Sequence, residues 1–239
     1  MKHLPNILTL LNLLCGCIAV VSVFHGRYDH VVILVIIALV ADFLDGFLAR
    51  LLGVSGPFGK ELDAIADMVT FGFLPGIIMY HLMLKSTYFI QFESRALFSF
   101  LKYYMFIVPL FSALRLAKFN TDPRQADYFI GLPTPANTLW IISLPFIIQN
   151  NSFGMVQFLR HPFTLVGLAS LSAWIMVAEI PLLSLKIKPS RILKSYPQLL
   201  LLTGSFGLLV VFRIAAPPLI IIWYVLLSLI YPPVKNPSV

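Results

Sequence analysis

The sequence predicts an all-α polytopic membrane protein with about eight transmembrane helices, because apolar runs of about 20 residues recur along it. Of its 239 residues, 59% are hydrophobic and only 11% are charged. The mean hydropathy of +0.91 is far above that of soluble globular domains. Short polar turns separate the apolar runs, so we expect one integral-membrane domain over residues 1–239 and no separate soluble domain.

The predicted spans follow one another closely. They cover approximately residues 7–24, 31–50, 59–84, 97–117, 131–148, 163–185, 197–212 and 216–231. Turn-forming residues such as Gly53, Gly56 and Pro57 separate the second span from the third. We expect a catalytic core over about residues 5–185, followed by two further C-terminal helices over about 197–231.

The distribution of charge predicts orientation and excludes some functions. The net charge of +7 comes from basic residues scattered singly between apolar runs, which indicates membrane-protein loops rather than a nucleic-acid surface. More Lys and Arg fall on the side that carries both termini, so the termini and the turn near Gly53 are predicted to be cytoplasmic. Cys15 and Cys17 lie in an apolar run and are interpreted as packing residues rather than a disulfide or zinc site.

Four aspartates interrupt the second and third spans. Each acid near the bilayer centre costs about 2.5–3.5 kcal/mol on insertion scales, so a compensating partner is needed. Asp42 and Asp45 lie about 60° apart on a helix, and Gly59, Asp63 and Asp67 recur at intervals of one turn. A short turn makes the two helices antiparallel neighbours, so these two faces are expected to converge.

The residue types around the aspartates predict the ligand. An all-carboxylate set suits Mg²⁺ or Mn²⁺ rather than zinc, and two ions can fit. Gly46, Ala49 and Gly59 leave space for a bulky group to approach the backbone, while Arg50 offers a fork for phosphate. The pattern therefore favours a metal-dependent site for a phosphorylated substrate at the cytoplasmic interface.

Other interpretations remain at this stage. The acids can instead pair structurally with Arg50 and other basic side chains, or they can belong to a divalent-cation transporter. In the first span, Asn6, Thr9 and Asn12 recur on one face. This spacing fits either capping and hydrogen bonding between helices or a polar wall of the site.

The aspartates form part of a longer pattern: D-x-x-D-G-x-x-A-R, eight residues, then G-x-x-x-D-x-x-x-D. This pattern resembles the signature of the CDP-alcohol phosphotransferases. Its fixed positions are Asp42, Asp45, Gly46, Ala49, Arg50, Gly59, Asp63 and Asp67. The flanking segments 5–12, 113–120 and 131–136 are most similar to the membrane-embedded phosphatidylserine synthases of that family. The resemblance covers about residues 5–140.

The resemblance implies an activity and a set of roles. A phosphatidyl group would pass from CDP-diacylglycerol to the hydroxyl of L-serine, giving phosphatidylserine and CMP, in a homodimeric enzyme of the cell membrane. Asp67 would be the general base. Two Mg²⁺ or Mn²⁺ ions would be held by Asp42, Asp45, Asp63 and Asp67. The CDP group would be bound by Asp45, Gly46, Ala49, Arg50 and Gly59.

The acceptor alcohol depends on residues outside the signature. The serine carboxylate needs a cation or hydrogen-bond donors, and Arg115, Lys118 and Thr134 are the candidates. Arg115 and Lys118 can equally be membrane anchors, and Thr134 can equally be a helix N-cap. A related transferase with a glycerol-phosphate or inositol-phosphate acceptor is the alternative within the family.

Overall fold

The computed structural model describes residues 3–87, 96–122, 129–183 and 196–232. Within these ranges the chain is almost entirely helical. The α-helices are α1 (Leu4–Phe24), α2 (Tyr28–Leu51), α3 (Pro57–Asp67), α4 (Leu74–Leu84), α5 (Ala96–Tyr104), α6 (Ile107–Thr121), α7 (Thr134–Gln149), α8 (Val156–Leu159), α9 (Pro162–Val177), α10 (Tyr196–Phe212) and α11 (Ala216–Ile230). Two short strands, β1 (Phe129–Ile130) and β2 (Pro181–Leu182), pair antiparallel.

Five helical stretches of the described chain are long and apolar enough to cross a membrane. They are Leu4–Phe24, Tyr28–Leu51, Pro57–Leu84, Phe100–Thr121 and Tyr196–Ile230, and Pro162–Val177 is a shorter apolar helix. The fifth stretch is a hairpin, because the 3₁₀ turn Arg213–Ala215 reverses the chain. The rings of Tyr196 and Tyr231, at its two ends, lie 5.8 Å apart. The multi-pass membrane class is confirmed, whereas the number of eight spans stays a prediction.

Two predicted spans end differently in the structure. The sixth was expected to reach about residue 185, but α9 ends at Val177. Pro181 lacks a backbone N–H and favours extended backbone before it, so the chain leaves the helix. It forms β2 instead, and the N–H of Gly131 donates to the carbonyl of Ile180 at 3.0 Å. The fourth span was expected to end near residue 117, but α6 continues to Thr121, and a two-residue break at 105–106 separates it from α5.

The third span contains a π-helical segment, Met68–Phe73, directly after Asp67. Neighbouring helices hold this segment through its polar groups. The hydroxyl of Thr70 donates to the carbonyl of Asn12 in α1 at 3.0 Å, and that of Thr138 in α7 donates to the carbonyl of Phe71 at 2.9 Å. A π segment offsets the following helix from regular α geometry and is frequent at functional sites. Here it links the position of Asp67 to α1 and α7.

Small residues at Gly72 and Gly76 let the helices approach closely. A Cβ atom at Gly76 would lie 2.6 Å from Cδ of Pro109, and one at Gly72 would lie 3.2 Å from Cβ of Ser112. Both neighbours belong to α6, so this contact fixes α6 against the third span. Outward-facing residues of the helices are large and apolar, as a lipid-facing surface requires, and Phe43 is 67% exposed.

Candidate functional site

Three of the predicted carboxylates converge in the structure. Asp42 comes from the C-terminal half of α2, and Asp63 and Asp67 come from α3, one turn apart. Each offers an oxygen atom, and these three atoms all lie within 4.8 Å of one another. The carboxyl groups of Asp42 and Asp63 are also within hydrogen-bonding reach. The two helix faces therefore meet as the spacing of the aspartates predicted.

Asp45 lies beside this group of three and is held from α1. Its carboxylate is buried and accepts a hydrogen bond from the hydroxyl of Thr9. It also interacts electrostatically with Asp63 and with the guanidinium of Arg50. Asp45 thus connects the group of three to Arg50, and the four aspartates Asp42, Asp45, Asp63 and Asp67 are together called the carboxylate cluster. The role of Asp45 as a metal ligand stays a prediction.

Asp67 is positioned by two different helices. The side-chain Nδ2 of Asn12 donates a hydrogen bond to Oδ1 of Asp67 at 3.2 Å. The guanidinium of Arg115, in α6, interacts electrostatically with the same carboxylate. The backbone carbonyl of Asn12 also accepts a hydrogen bond from the Thr70 hydroxyl. One residue of α1 therefore positions both Asp67 and the π segment that follows it.

The carboxylate cluster has the properties of a divalent-metal site. Four acids in such a small volume repel one another unless a cation or protons compensate them. Oδ1 of Asp63 is buried and has no hydrogen-bond partner among the described residues. A buried carboxylate oxygen without a donor is costly, and hard oxygen ligands are those that Mg²⁺ and Mn²⁺ prefer. The residues present therefore fit such an ion.

An open pocket of about 190 Å³ adjoins the cluster. Its walls contain all five residues predicted to bind CDP, together with segments of α1 and of the turn between α2 and α3. The lining residues are Pro5, Asn6, Thr9, Asp45, Gly46, Ala49, Arg50, Val54, Ser55, Gly56, Gly59, Lys60 and Asp63. Asp45 and Asp63 belong to the carboxylate cluster and also line the pocket. A ligand in the pocket would therefore contact the cluster as well.

Gly46 and Gly59 leave unfilled space in this pocket. A Cβ atom at Gly46 would meet only the Arg50 guanidinium, at 3.5 Å, and one at Gly59 would meet only Oδ1 of Asn6, at 3.8 Å. Both are ordinary van der Waals distances, so packing within the chain does not require glycine at either position. The free space is available to a ligand that approaches the backbone closely.

The three residues predicted to bind serine occupy different environments. Arg115 is buried, and its Nε has no hydrogen-bond partner among the described residues. Thr134 is also buried, with a hydroxyl that lacks a partner in the same ranges. The N-cap of α7 is Pro133, so the interpretation of Thr134 as a side-chain N-cap is wrong. Lys118, one turn after Arg115, is exposed.

The sequence interpretation left the role of α1 open, and the structure answers it. Thr9 and Asn12 donate hydrogen bonds to Asp45 and Asp67, and Asn6 lines the pocket. These residues are therefore both interhelical hydrogen-bonding groups and a polar wall of the site. Their three-residue spacing was the available signal. Lys60, another pocket residue, had no comparable signal because it is one of many scattered cations.

Comparison with known proteins identifies a family. Residues 2–184 match the model of the CDP-alcohol phosphatidyltransferase family. The chain is 31% identical over 146 residues to the CDP-diacylglycerol–serine O-phosphatidyltransferase of Bacillus subtilis, which is 61% of this chain and 77% of that protein. It is 32% identical over 148 residues to the protein of that name from Methanocaldococcus jannaschii, covering 62% of each chain.

The similarity covers less of some other relatives. A protein of the same name from Mycobacterium leprae is 30% identical over 151 residues, which is 60% of this chain and 47% of that one. The chain thus spans only about half the length of this relative. All three alignments are shorter than the 239 residues of this chain, and the family match ends before α10 and α11.

Proposed function

Since the chain belongs to the CDP-alcohol phosphatidyltransferase family, we propose that it transfers the phosphatidyl group of CDP-diacylglycerol to the hydroxyl of L-serine. The products are phosphatidylserine and CMP. The proposal rests chiefly on the convergence of Asp42, Asp63 and Asp67 beside a pocket that contains Arg50. The names of the similar proteins support serine as the acceptor.

The pocket supports a binding mode for CDP-diacylglycerol. The CDP group lies against the backbone at Gly46, Ala49 and Gly59, and the Arg50 guanidinium donates to a phosphate oxygen. The acyl chains lie in the bilayer along the outer face of α2. That face carries the stacked and exposed rings of Phe43 and Phe47, whose centroids are 6.3 Å apart.

The carboxylates supply the metal site in this proposal. Asp42, Asp45, Asp63 and Asp67 would hold two divalent ions, Mg²⁺ or Mn²⁺. Such ions stabilise the charge on both the attacking and the leaving oxygens of a phosphoryl-transfer reaction. Because Asp45 and Asp63 line the pocket, ions bound to the carboxylates would lie next to a ligand in the pocket.

Asp67 is the proposed general base. The serine hydroxyl oxygen attacks the phosphorus that bears diacylglycerol, and Asp67 accepts the hydroxyl proton. The bond from this phosphorus to the oxygen of CMP breaks, and CMP leaves with the bonding electrons. The hydrogen bond from Asn12 orients the Asp67 carboxylate, so that a defined oxygen of Asp67 faces serine.

The serine carboxylate is assigned to Arg115, Lys118 and Thr134. Arg115 interacts electrostatically with Asp67, so a carboxylate bound to its guanidinium would place serine close to the base. The unpartnered hydroxyl of Thr134 is a further donor. The exposed Lys118 would attract serine from solution.

The location and assembly of the protein complete the proposal. The excess of Lys and Arg on the segments that share a side with the termini supports a multi-pass protein of the cytoplasmic membrane. The termini and the carboxylate cluster then face the cytoplasm, where serine and CMP are found. We also propose a homodimer, which the large exposed apolar faces of the helices can accommodate.

A single assay tests the reaction and the acceptor. Purified protein is mixed with CDP-diacylglycerol, Mg²⁺ or Mn²⁺, and serine, glycerol 3-phosphate or inositol phosphate in turn, and CMP release is followed. We expect CMP with serine only, and none after chelation of the metal. Release with glycerol 3-phosphate or inositol phosphate but not with serine would show that serine is not the acceptor. The absence of CMP with every alcohol would overturn the proposed enzymatic activity and favour a cation transporter.

A further inference from the structure

A second cavity lies at the opposite end of the helices from the carboxylate cluster. It has a volume of about 260 Å³ and forms where the turn after α1 meets the ends of α4, α7 and α8. The lining residues are Gly26, Tyr28, Leu82, Lys85, Pro145, Ile148, Gln149, Leu159 and Arg160. Since α2 runs from Tyr28 at this cavity to Asp42 at the cluster, the two sites are about 20 Å apart along the helix.

Two cations line this cavity from different segments. The backbone N–H of Thr87 donates to the carbonyl of Arg160 at 3.2 Å, which ties the segment after Lys85 to the segment that ends α8. Nζ of Lys85 lies 5.8 Å from the centre of the Tyr28 ring. None of the described lining residues is acidic. Both cations line the same cavity, and two like charges at one cavity are stabilised by a shared anion.

The rest of the lining is apolar or amphipathic. Leu82, Pro145, Ile148 and Leu159 form a wall beside the two cations. The hydroxyl of Tyr28 is hydrogen-bonded to Nδ1 of the buried His81 at 3.0 Å, which holds the phenol at the cavity. A free inorganic anion would leave the apolar wall unused. A ligand with a phosphate and a hydrocarbon part would use both kinds of surface.

We propose that this cavity binds an anionic phospholipid of the leaflet opposite the catalytic site. The phosphate lies between the Lys85 ammonium and the Arg160 guanidinium, and the first part of the acyl chains lies against Leu82 and Leu159. Basic pockets between transmembrane helices at the membrane surface suit such head groups. The site is separate from the CDP pocket and shares no lining residue with it, so the two proposals can be tested independently.

Binding of a short-chain lipid to the purified full-length protein tests this site. The probe is dioctanoyl phosphatidylglycerol, and bound lipid is counted by native mass spectrometry over a concentration series. We expect the variant with both Lys85→Gln and Arg160→Gln to bind about tenfold or more weakly, since each cation near the surface contributes to anionic-lipid binding. Arg27→Gln removes a cation at the same end of the helices but outside the cavity, and should bind as the wild type does.

Three further measurements decide the nature of the ligand. The charge-conserving variant with Lys85→Arg and Arg160→Lys should retain binding, which separates loss of charge from loss of folding. Dioctanoylglycerol, which lacks phosphate, and inorganic phosphate alone should neither bind at this site nor compete. Equal binding by the neutralised variant and the wild type would overturn the site. Equal competition by inorganic phosphate would overturn the lipid assignment. Because lipid is counted directly, the result does not depend on CMP release.

Discussion

The N-terminal helices α1–α3 and the C-terminal hairpin α10–α11 are both apolar, yet they use their polar side chains differently. In α1, Thr9 and Asn12 reach across to aspartates of α2 and α3. In the hairpin, Thr203 donates to the carbonyl of Leu199, one turn earlier in its own helix. In the apolar stretch of α1, 39% of the residues are buried within the protein, against 11% in the hairpin. The polar side chains of α1 therefore serve neighbouring helices at the site, whereas Thr203 of the hairpin serves only its own helix.

The hairpin is nevertheless attached to the rest of the protein. The hydroxyl of Tyr224 donates to the carbonyl of Leu183 at 2.9 Å, and the N–H of Leu183 donates to the hydroxyl of Ser228 at 3.1 Å. Tyr224 also interacts electrostatically with Arg115. Substitutions of the aspartates, and of the α1 side chains that donate to them, should change turnover. Substitutions within the hairpin should mainly change stability.

The largest effect is expected for Asp67→Asn. The amide keeps the size of the side chain but cannot accept the serine proton, so kcat should fall by about 10²–10⁴-fold. Binding of CDP-diacylglycerol, measured by titration with a CDP analogue, should change little. Asp29→Asn removes an exposed aspartate of α2 and should leave both quantities unchanged. Loss of CDP binding in Asp67→Asn would show that Asp67 is primarily a metal ligand.

A smaller loss is expected for Asn12→Ala. Removal of the amide frees the Asp67 carboxylate, and such supporting residues typically contribute about 10–100-fold. The fall should appear in kcat with little change in the KM for CDP-diacylglycerol, because the Thr70 hydrogen bond uses the backbone of residue 12. Ser22→Ala is the matched control in α1, since that hydroxyl donates to Ile18 of the same helix. A raised KM with normal kcat would contradict a positioning role.

The sequence predicts contacts within neighbouring helices better than contacts between residues far apart in the chain. Convergence of Asp42, Asp63 and Asp67 followed from spacing within two neighbouring helices, because regular helical geometry is local. The π segment after Asp67 could not be predicted in this way. It is held by pairs that lie 58 and 67 residues apart in the sequence, Thr70 with Asn12 and Thr138 with Phe71. The end of α9 was missed because the pairing of β1 with β2 replaced an apolar pattern that suits a helix equally well.

Gly46→Val tests whether the pocket is reserved for the ligand. A Cβ atom at Gly46 meets the Arg50 guanidinium at an ordinary distance of 3.5 Å, so we expect the fold to tolerate the change while the pocket loses volume. We expect the KM for CDP-diacylglycerol to rise by about tenfold, as one or two methyl groups in a binding pocket produce. Gly207→Val makes the same change in α10, where a Cβ atom meets nothing within 4 Å, and should leave KM unchanged. An unchanged KM in Gly46→Val would move the CDP site elsewhere.

The smallest effect on turnover is expected for Gly204→Ala in the hairpin. A Cβ atom there would lie 2.5 Å from Nε1 of Trp223, so the indole must move and the hairpin loosens. Overpacking of this kind costs about 1–3 kcal/mol. We therefore expect a lower Tm in detergent, with unchanged kcat and KM per folded molecule. Gly207→Ala should not lower Tm, since the added Cβ atom meets nothing within 4 Å and alanine favours the helix. A higher KM for serine alone would instead show that displaced Trp223 acts on Arg115 through the adjacent Tyr224, which would make the hairpin part of the acceptor site.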